Sequence, residues 1–182
     1  MIRYARLDEL QAIRAVEMSA EKALVEAGIE FPENSEELYS DLEYSDAIRN
    51  KYLRVAQAED GSVLGFYFWK VVDGDAYLAE IDVRQESQGQ GAGSDLLEDF
   101  CEVVERDGFR KAWLTTFRDL PFNAPWYARS GFEVVGVEEC GPEMKAVWQH
   151  EVDCNTLVAP RVIMCKRLKG VDDSSLGDSS SL

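Results

Sequence analysis

Apolar residues along this chain recur with two different periods, and the changes of period mark its elements. Ile2 to Arg6 reads as a short strand. Leu10, Ile13, Val16, Ala20 and Leu24 then fall at helical spacing, with Asp8 placed to cap a helix from Glu9 and Gly28 to end it. Glu36 to Tyr44 is a second helical stretch, introduced by Pro32 and Ser35. Tyr52 to Gln57, Ser62 to Val72 and Ala76 to Val83 alternate as strands. They are joined by the turn signals Asp60-Gly61 and Asp73-Gly74-Asp75, which predicts an antiparallel meander.

The period returns to helical over Ser94 to Arg106, where Leu96, Leu97, Phe100, Val103 and Val104 share one face and Gly108 stops the run. Lys111 to Thr116 is a strand, Ala124 to Ser130 a short helix and Phe132 to Val137 another strand. Gly141-Pro142 breaks the chain before a helix from Glu143 to about Glu151, and Arg161 to Lys166 is the last strand. From Lys169 on, Asp, Ser and Gly dominate, so residues 169–182 read as a disordered acidic, Ser-rich tail. These elements predict one α+β domain with a mixed sheet over residues 1–168.

Composition narrows the function. The chain's 182 residues, 46% of them hydrophobic, suffice for a single well-filled core. No run approaches the roughly 18 apolar residues of a membrane span. Asp8 and Glu9 stand where an export signal would be apolar, so a cytoplasmic location is expected. Thirty-five acidic against 19 basic residues give a net charge of -16, which disfavours nucleic acid and anionic membranes; it suits a cationic partner such as an amine, the equal alternative being that it serves only solubility or a salty environment. Cys101, Cys140, Cys154 and Cys165 form no CxxC pair and His150 is the only histidine, so no metal is expected and the cysteines read as structural free thiols.

The chemistry concentrates at Gln88-Gly89-Gln90-Gly91-Ala92-Gly93, between the strand ending at Val83 and the helix that follows. Glycine lets backbone approach a ligand, and a helix N-terminus offers unpaired N–H groups at the positive end of its dipole, which suits a pyrophosphate. A P-loop would need a Lys-Ser/Thr pair where Ser94 and Asp95 stand. A dinucleotide fold would need a third glycine and a βαβ unit in place of the meander. The remaining pattern, Gln/Arg-x-x-Gly-x-Gly/Ala, is met by Gln88, Gly91 and Gly93.

With that signature the sequence resembles the GNAT superfamily of N-acetyltransferases. The second motif, FRDLPFNAPWYARSGF from Phe117 to Phe132, strengthens the resemblance, as do the opening strand and long helix. The resemblance covers residues 1 to about 168. It implies the GNAT acyl-CoA N-acyltransferase fold, a central, mostly antiparallel mixed sheet flanked by helices, and acetyl-CoA as cosubstrate. It implies cofactor contacts from Ile81, Asp82 and Val83, from Gln88, Gly89, Gln90, Gly91, Ala92, Gly93 and Ser94, and from Asn123, with Tyr127 beside the cofactor sulfur. Two positions depart from the family: Gln88 replaces the commoner arginine, and Gln85 a frequent proline.

Attack of an amine on a thioester expels a thiolate, whose conjugate acid has a pKa of about 8.5, and a tyrosine of pKa about 10 can give it a proton or a strong hydrogen bond. The amine must also lose a proton. Alternation places Glu80 and Asp82 on one face of their strand, with Ile81 and Val83 on the other, so Glu80, Asp82 or a water held by one of them is the candidate base. Trp69 and Trp126 are candidate liners of the acceptor pocket, core positions being the alternative, and His150 reads as a surface residue. The reading is an acetyl-CoA-dependent N-acetyltransferase acting on a small amine, an amino acid or a protein N-terminus or lysine. The alternative is a silent acyl-CoA-binding or protein-interaction module. The oligomeric state is open, a homodimer being the commonest self-assembly.

Overall fold

The computed structural model describes residues 1–26, 28, 39–154 and 160–169. The chain opens with β1 (Ile2–Tyr4) and a 3₁₀ turn, Leu7–Glu9, that runs into α1 (Leu10–Glu26). The expected Asp8 cap is not the one used. Glu9 accepts the Arg6 N–H at 2.9 Å and is held, buried, by Arg3 at 2.6 Å. Helix α2 spans Asp41–Arg49, later than the predicted Glu36 to Tyr44, and Pro32, Ser35 and Glu36 lie outside the described residues. Its cap is Ser40: the Glu43 N–H donates to Ser40 Oγ at 3.3 Å, and Glu43 Oε2 accepts the Ser40 N–H at 2.8 Å.

The meander follows as β2 (Leu53–Gln57), β3 (Val63–Val72) and β4 (Asp75–Val83), and the amphipathic helix α3 spans Ala92–Arg106. Strand β5 (Lys111–Phe117), helix α4 (Ala124–Arg129), strand β6 (Glu133–Val135), helix α5 (Pro142–Cys154) and strand β7 (Arg161–Arg167) complete the described chain. Strand β6 is shorter than expected because Val137–Glu139 winds into a 3₁₀ turn. The predicted tail falls outside the described residues from position 170 on.

One seven-stranded sheet, ordered β1-β2-β3-β4-β5-β7-β6, organises the described residues. All neighbouring strands are antiparallel except β4 and β5, which run parallel. On one face α3 buries Leu96, Leu97, Phe100 and Val104 against Tyr67, Trp69, Leu78 and Leu114, with Tyr127 and Phe132 of the α4 region in the same core. Each such side chain is worth roughly 1.5–3 kcal/mol when fully buried. The opposite face carries two clusters. One packs Ile13, Val16, Tyr44 and Ile48 of α1 and α2 on Phe66 and Phe68, and the other packs Met144 of α5 on Tyr77 and Ile163.

Two irregularities shape the centre. Phe68 pairs with Glu80 but Trp69 with Leu78, so Ala79 is an extra residue on β4, a bulge. Before the bulge Ala76 and Leu78 face α3; after it Ile81 and Val83 do. Ala79 packs towards the α1 and α5 side, and Glu80 reaches Tyr44 of α2. The second irregularity is a splay. Strand β4 pairs with β5 only at Ala76–Ala112 and Tyr77–Trp113, and from there the two strands diverge. A bulge bends its strand, and this one begins two residues past the last β4–β5 pair.

Candidate active site

The splay joins the two faces of the sheet by a slot whose β4 side bears backbone groups without a strand partner in the described residues. At its end lies the Gly-rich turn. Gly89 and Gly91 have φ of +74° and +95°, conformations that glycine adopts without strain, and a Cβ built on either would meet nothing within 4 Å. Gly91 occupies the N-cap position of α3, and no side chain caps the helix there. The first-turn N–H groups, on Ala92, Gly93 and Ser94, therefore lack a capping side chain at the positive end of the dipole.

The side chains of the turn brace it. Gln88 donates to the Val83 carbonyl at 3.0 Å, and Gln90 to the Glu86 carbonyl at 3.0 Å. Gln88, where the family favours arginine, is thus tied to the end of β4. Gln85 has a structural reason to differ from proline. Its N–H donates to Ser19 Oγ at 3.0 Å, which a proline could not do, and its side chain reaches Glu26 at 2.6 Å. A cleft of about 480 Å³ adjoins the first turn of α3, with Ser94, Leu97, Cys101, Lys166, Arg167 and Lys169 among its walls. Lys166, Arg167 and Lys169 face Glu98, Glu102 and Glu105 across it, so its walls carry both signs of charge.

On the same face, Tyr127 is buried in α4 against Trp126 and Phe132, at ring distances of 4.7 and 5.9 Å. Burial raises the Tyr127 hydroxyl pKa above the usual tyrosine range; the charge of Asp82 raises it further and that of Arg161 opposes the rise. Asn123 stands at the N-cap of α4, but its side chain does not cap the helix. Its amide donates to Thr116 Oγ1 of β5 at 2.8 Å, leaving a buried Oδ1 with no hydrogen-bond partner. Trp69 lies in the core beneath α3, and Trp126 packs beside Gly93. Both are on the face opposite the carboxylates, Trp69 buried in the core and Trp126 packed against it, the commoner place for a large aromatic.

Across the slot, on the α1 and α2 side, Glu80 and Asp82 are half-buried and close enough for each carboxyl to affect the other. Burial raises both carboxyl groups. Each is raised further by Glu17, Glu80 by the Asp82 charge and Asp82 by Glu21, and Asp82 is pushed up to about 7. Two forces oppose the rise at Glu80, a hydrogen bond from the Tyr44 hydroxyl to Glu80 Oε2 and the charge of Arg14. Both carboxyls are therefore harder to ionise than free ones, and they titrate as a coupled pair.

A second polar group on this face was not foreseen from sequence. Glu151 of α5, 3% exposed at its side chain, takes Arg161 Nη2 at 2.5 Å and the Tyr77 hydroxyl at 2.6 Å, and also bonds Thr115. Tyr39, before α2, lies against Phe68 with Lys70 Nζ 4.8 Å from its ring centroid. Glu151 and Arg161 stand ten positions apart on different elements, and only the antiparallel return of β7 brings them together. His150 is exposed. Cys101 and Cys140 are buried and Cys165 half-buried, all three free, and burial raises each thiol pKa. Among the described residues no group of His, Cys, Asp and Glu could hold a metal ion.

A sheet opened beside a central parallel pair, with a Gly-rich turn leading into α3, defines the class of acyl-CoA-dependent acyltransferase folds. The chain belongs to the acetyltransferase (GNAT) family, whose model matches residues 19–132. Its fold is similar to that of the PaiA N-acetyltransferase from Thermoplasma acidophilum in complex with coenzyme A (20% identity, TM-score 0.69, 92% of this chain and 98% of that one). It is also similar to the ribosomal-protein-S18-alanine N-acetyltransferase from Escherichia coli (19%, 0.65, 95% and 96%). A third likeness is to N-acetylglutamate synthase from Neisseria gonorrhoeae complexed with coenzyme A and N-acetyl-glutamate (18%, 0.68, 92% of this chain but 35% of that one). At these identities the likenesses establish the fold.

Proposed function

We propose that this protein transfers the acetyl group of acetyl-CoA to a primary amine by direct attack within a ternary complex. The observation that carries the reading is the splay between β4 and β5, with Tyr127 on one side of the slot and the Glu80–Asp82 pair on the other.

The residues suit the cosubstrate. The free inner edge of β4, Ile81 to Val83, can take the amides of the pantetheine arm as an added strand would. Asn123 Oδ1 is a buried acceptor in want of a donor beside that arm. The N–H groups of Gly89 to Ser94 can cradle the pyrophosphate. Bound acetyl-CoA would supply an activated acetyl thioester.

The ionised member of the Glu80–Asp82 pair accepts the proton of the incoming ammonium, which frees the nitrogen lone pair. A carboxyl raised towards neutrality is a better base than an ordinary one. As the carbon–nitrogen bond forms and the carbon–sulfur bond breaks, Tyr127 donates a hydrogen bond to the departing sulfur. Its pKa lies above that of a thiol, about 8.5, so stabilising the thiolate is easier for it than releasing the proton outright. The carboxylates of Glu17 and Glu21 beside the pair favour a cationic acceptor, and the related folds act on several amine classes.

The test is thiol release from acetyl-CoA by the purified protein across a panel of small amines, amino acids and peptides. Turnover with at least one is expected. CoA binding without turnover across the panel would favour a silent binding module.

A further inference from the structure

The Tyr44 hydroxyl is the one donor from α2 that reaches the proposed base, and the rest of the residue is immobilised. Its ring is fully buried. Phe66 and Phe68 meet it edge-on, both at 5.8 Å, and Tyr39 packs on it at 6.3 Å. The Arg14 guanidinium carbon lies 4.6 Å from its centroid, and Arg14 is itself tied to Asp41 at 2.8 Å and to the Tyr39 carbonyl at 2.8 Å. The Ser40 cap fixes the start of α2. A ring held on every side has one place for its hydroxyl proton, Glu80 Oε2.

We infer that Tyr44 is a positioning residue for acyl transfer, holding Glu80 with one carboxylate oxygen committed so that an incoming proton goes to the other oxygen or to Asp82. The inference rests on the reading of Glu80 as base. A donated hydrogen bond favours the charged form of the carboxylate it reaches. Tyr44 thereby works against the other influences on the pair, which are burial and the negative charges of Glu17 and Glu21 from α1. Arg14, also from α1, acts in the same sense as Tyr44. Without the hydroxyl the base would stay protonated to higher pH and fewer molecules would be competent at neutrality.

The test is a titration of protein labelled with ¹³C at the Glu and Asp carboxyl carbons, the Glu80 signal being assigned by its loss in Glu80→Gln. Tyr44→Phe keeps the ring and should raise the midpoint by about one unit, a hydrogen bond to a charged group being worth that much. The acid limb of kcat/KM, measured with whichever panel amine turns over fastest, should move up equally while the high-pH plateau stays near wild type. Loss of packing alone would lower the whole profile without moving the limb. Should Tyr44→Phe fold poorly, 3-fluorotyrosine at position 44, a stronger donor of nearly the same shape, should move the midpoint down. A midpoint that neither substitution moves overturns the inference, even if Glu80→Gln abolishes turnover. Full activity in Glu80→Gln would instead overturn the reading of the base, and the role of Tyr44 with it.

Discussion

Gly65 of β3 lies so close to Asp82 of β4 that a Cβ added to it would come within 2.6 Å of the Asp82 carbonyl oxygen, 3.0 Å of Leu96 and 3.1 Å of Val83. The backbone of Asp82 and the packing of α3 thus depend on one missing methyl group. Gly65→Ala should destabilise the fold by about 1–3 kcal/mol, the usual cost of overpacking, read as a lower denaturant midpoint at unchanged slope. Because the strain falls on the inner edge of β4, CoA affinity should drop as well.

Gly91 is the opposite case. Its φ is +95°, and a Cβ added to it, the first atom of a valine side chain, would meet nothing within 4 Å among the described residues. The valine would project into the space in front of α3 and cost about 1–2 kcal/mol for the left-handed backbone. The folded state should survive, while isothermal titration should show CoA binding lost. Unchanged affinity would move the pyrophosphate away from this turn.

Tyr127→Phe should lower kcat by about 100-fold, the lower end of what a positioned acid contributes, with KM little changed. Since the Tyr127 hydroxyl pKa is raised, wild-type turnover should show no loss from its ionisation as the pH climbs to 10. An alkaline limb below 10 that vanishes in the phenylalanine variant would contradict the assignment.

The raised Asp82 carboxyl has a consequence for stability. An unfolded aspartate titrates near 3.8 and the folded one near 7, so the folded state holds the proton more tightly. The resulting stabilisation is complete below about 3.8 and is lost as pH rises towards 7. In Asp82→Asn this contribution is absent, so the variant should gain on wild type across that window, by on the order of 1–2 kcal/mol after solvent screening. Thermal melts of both proteins at pH 5 and pH 8 would show it; a difference that stays constant or reverses would refute it.

Glu151→Ala should be among the costliest single changes. It strands Arg161, whose side chain is only 13% exposed, and removes acceptors from Tyr77 and Thr115. Breaking a buried pair from one side costs about 3–5 kcal/mol. The paired change Glu151→Met with Arg161→Met should recover much of the loss, which chemical denaturation of both variants would measure.

The features legible in the sequence were those carried by short-range pattern. The meander, the amphipathic α3 and the turn from Gln88 to Gly93 each follow from spacing within a few residues. Helix α2 starts later than its apolar spacing predicts because Ser40-x-x-Glu43 makes a complete capping box and Ser35 has no Glu three residues on. Glu9 displaced Asp8 as cap because Arg3, a residue of β1, helps bury it. Glu80 and Asp82 do share a face. Strict alternation from Ala76, however, would have put them under α3 with Leu78, and the bulge at Ala79 reverses this. Tyr44, Arg14 and Glu17 reach the carboxylate pair from two helices, and Arg161 meets Glu151 across β7 and α5. Such meetings depend on how elements dock, and no local spacing records them.

The bulge at Ala79 also separates what can vary from what cannot. Past it, odd positions on β4 are bound to the packing of α3, and even positions are not. Substitutions at 80 and 82 could recast the polarity of one mouth of the slot and leave the floor of the other intact. Deleting Ala79 would leave the carboxylates towards α1 and the apolar side chains under α3 in plain alternation, but would take from β4 the bend beside the opening of the slot.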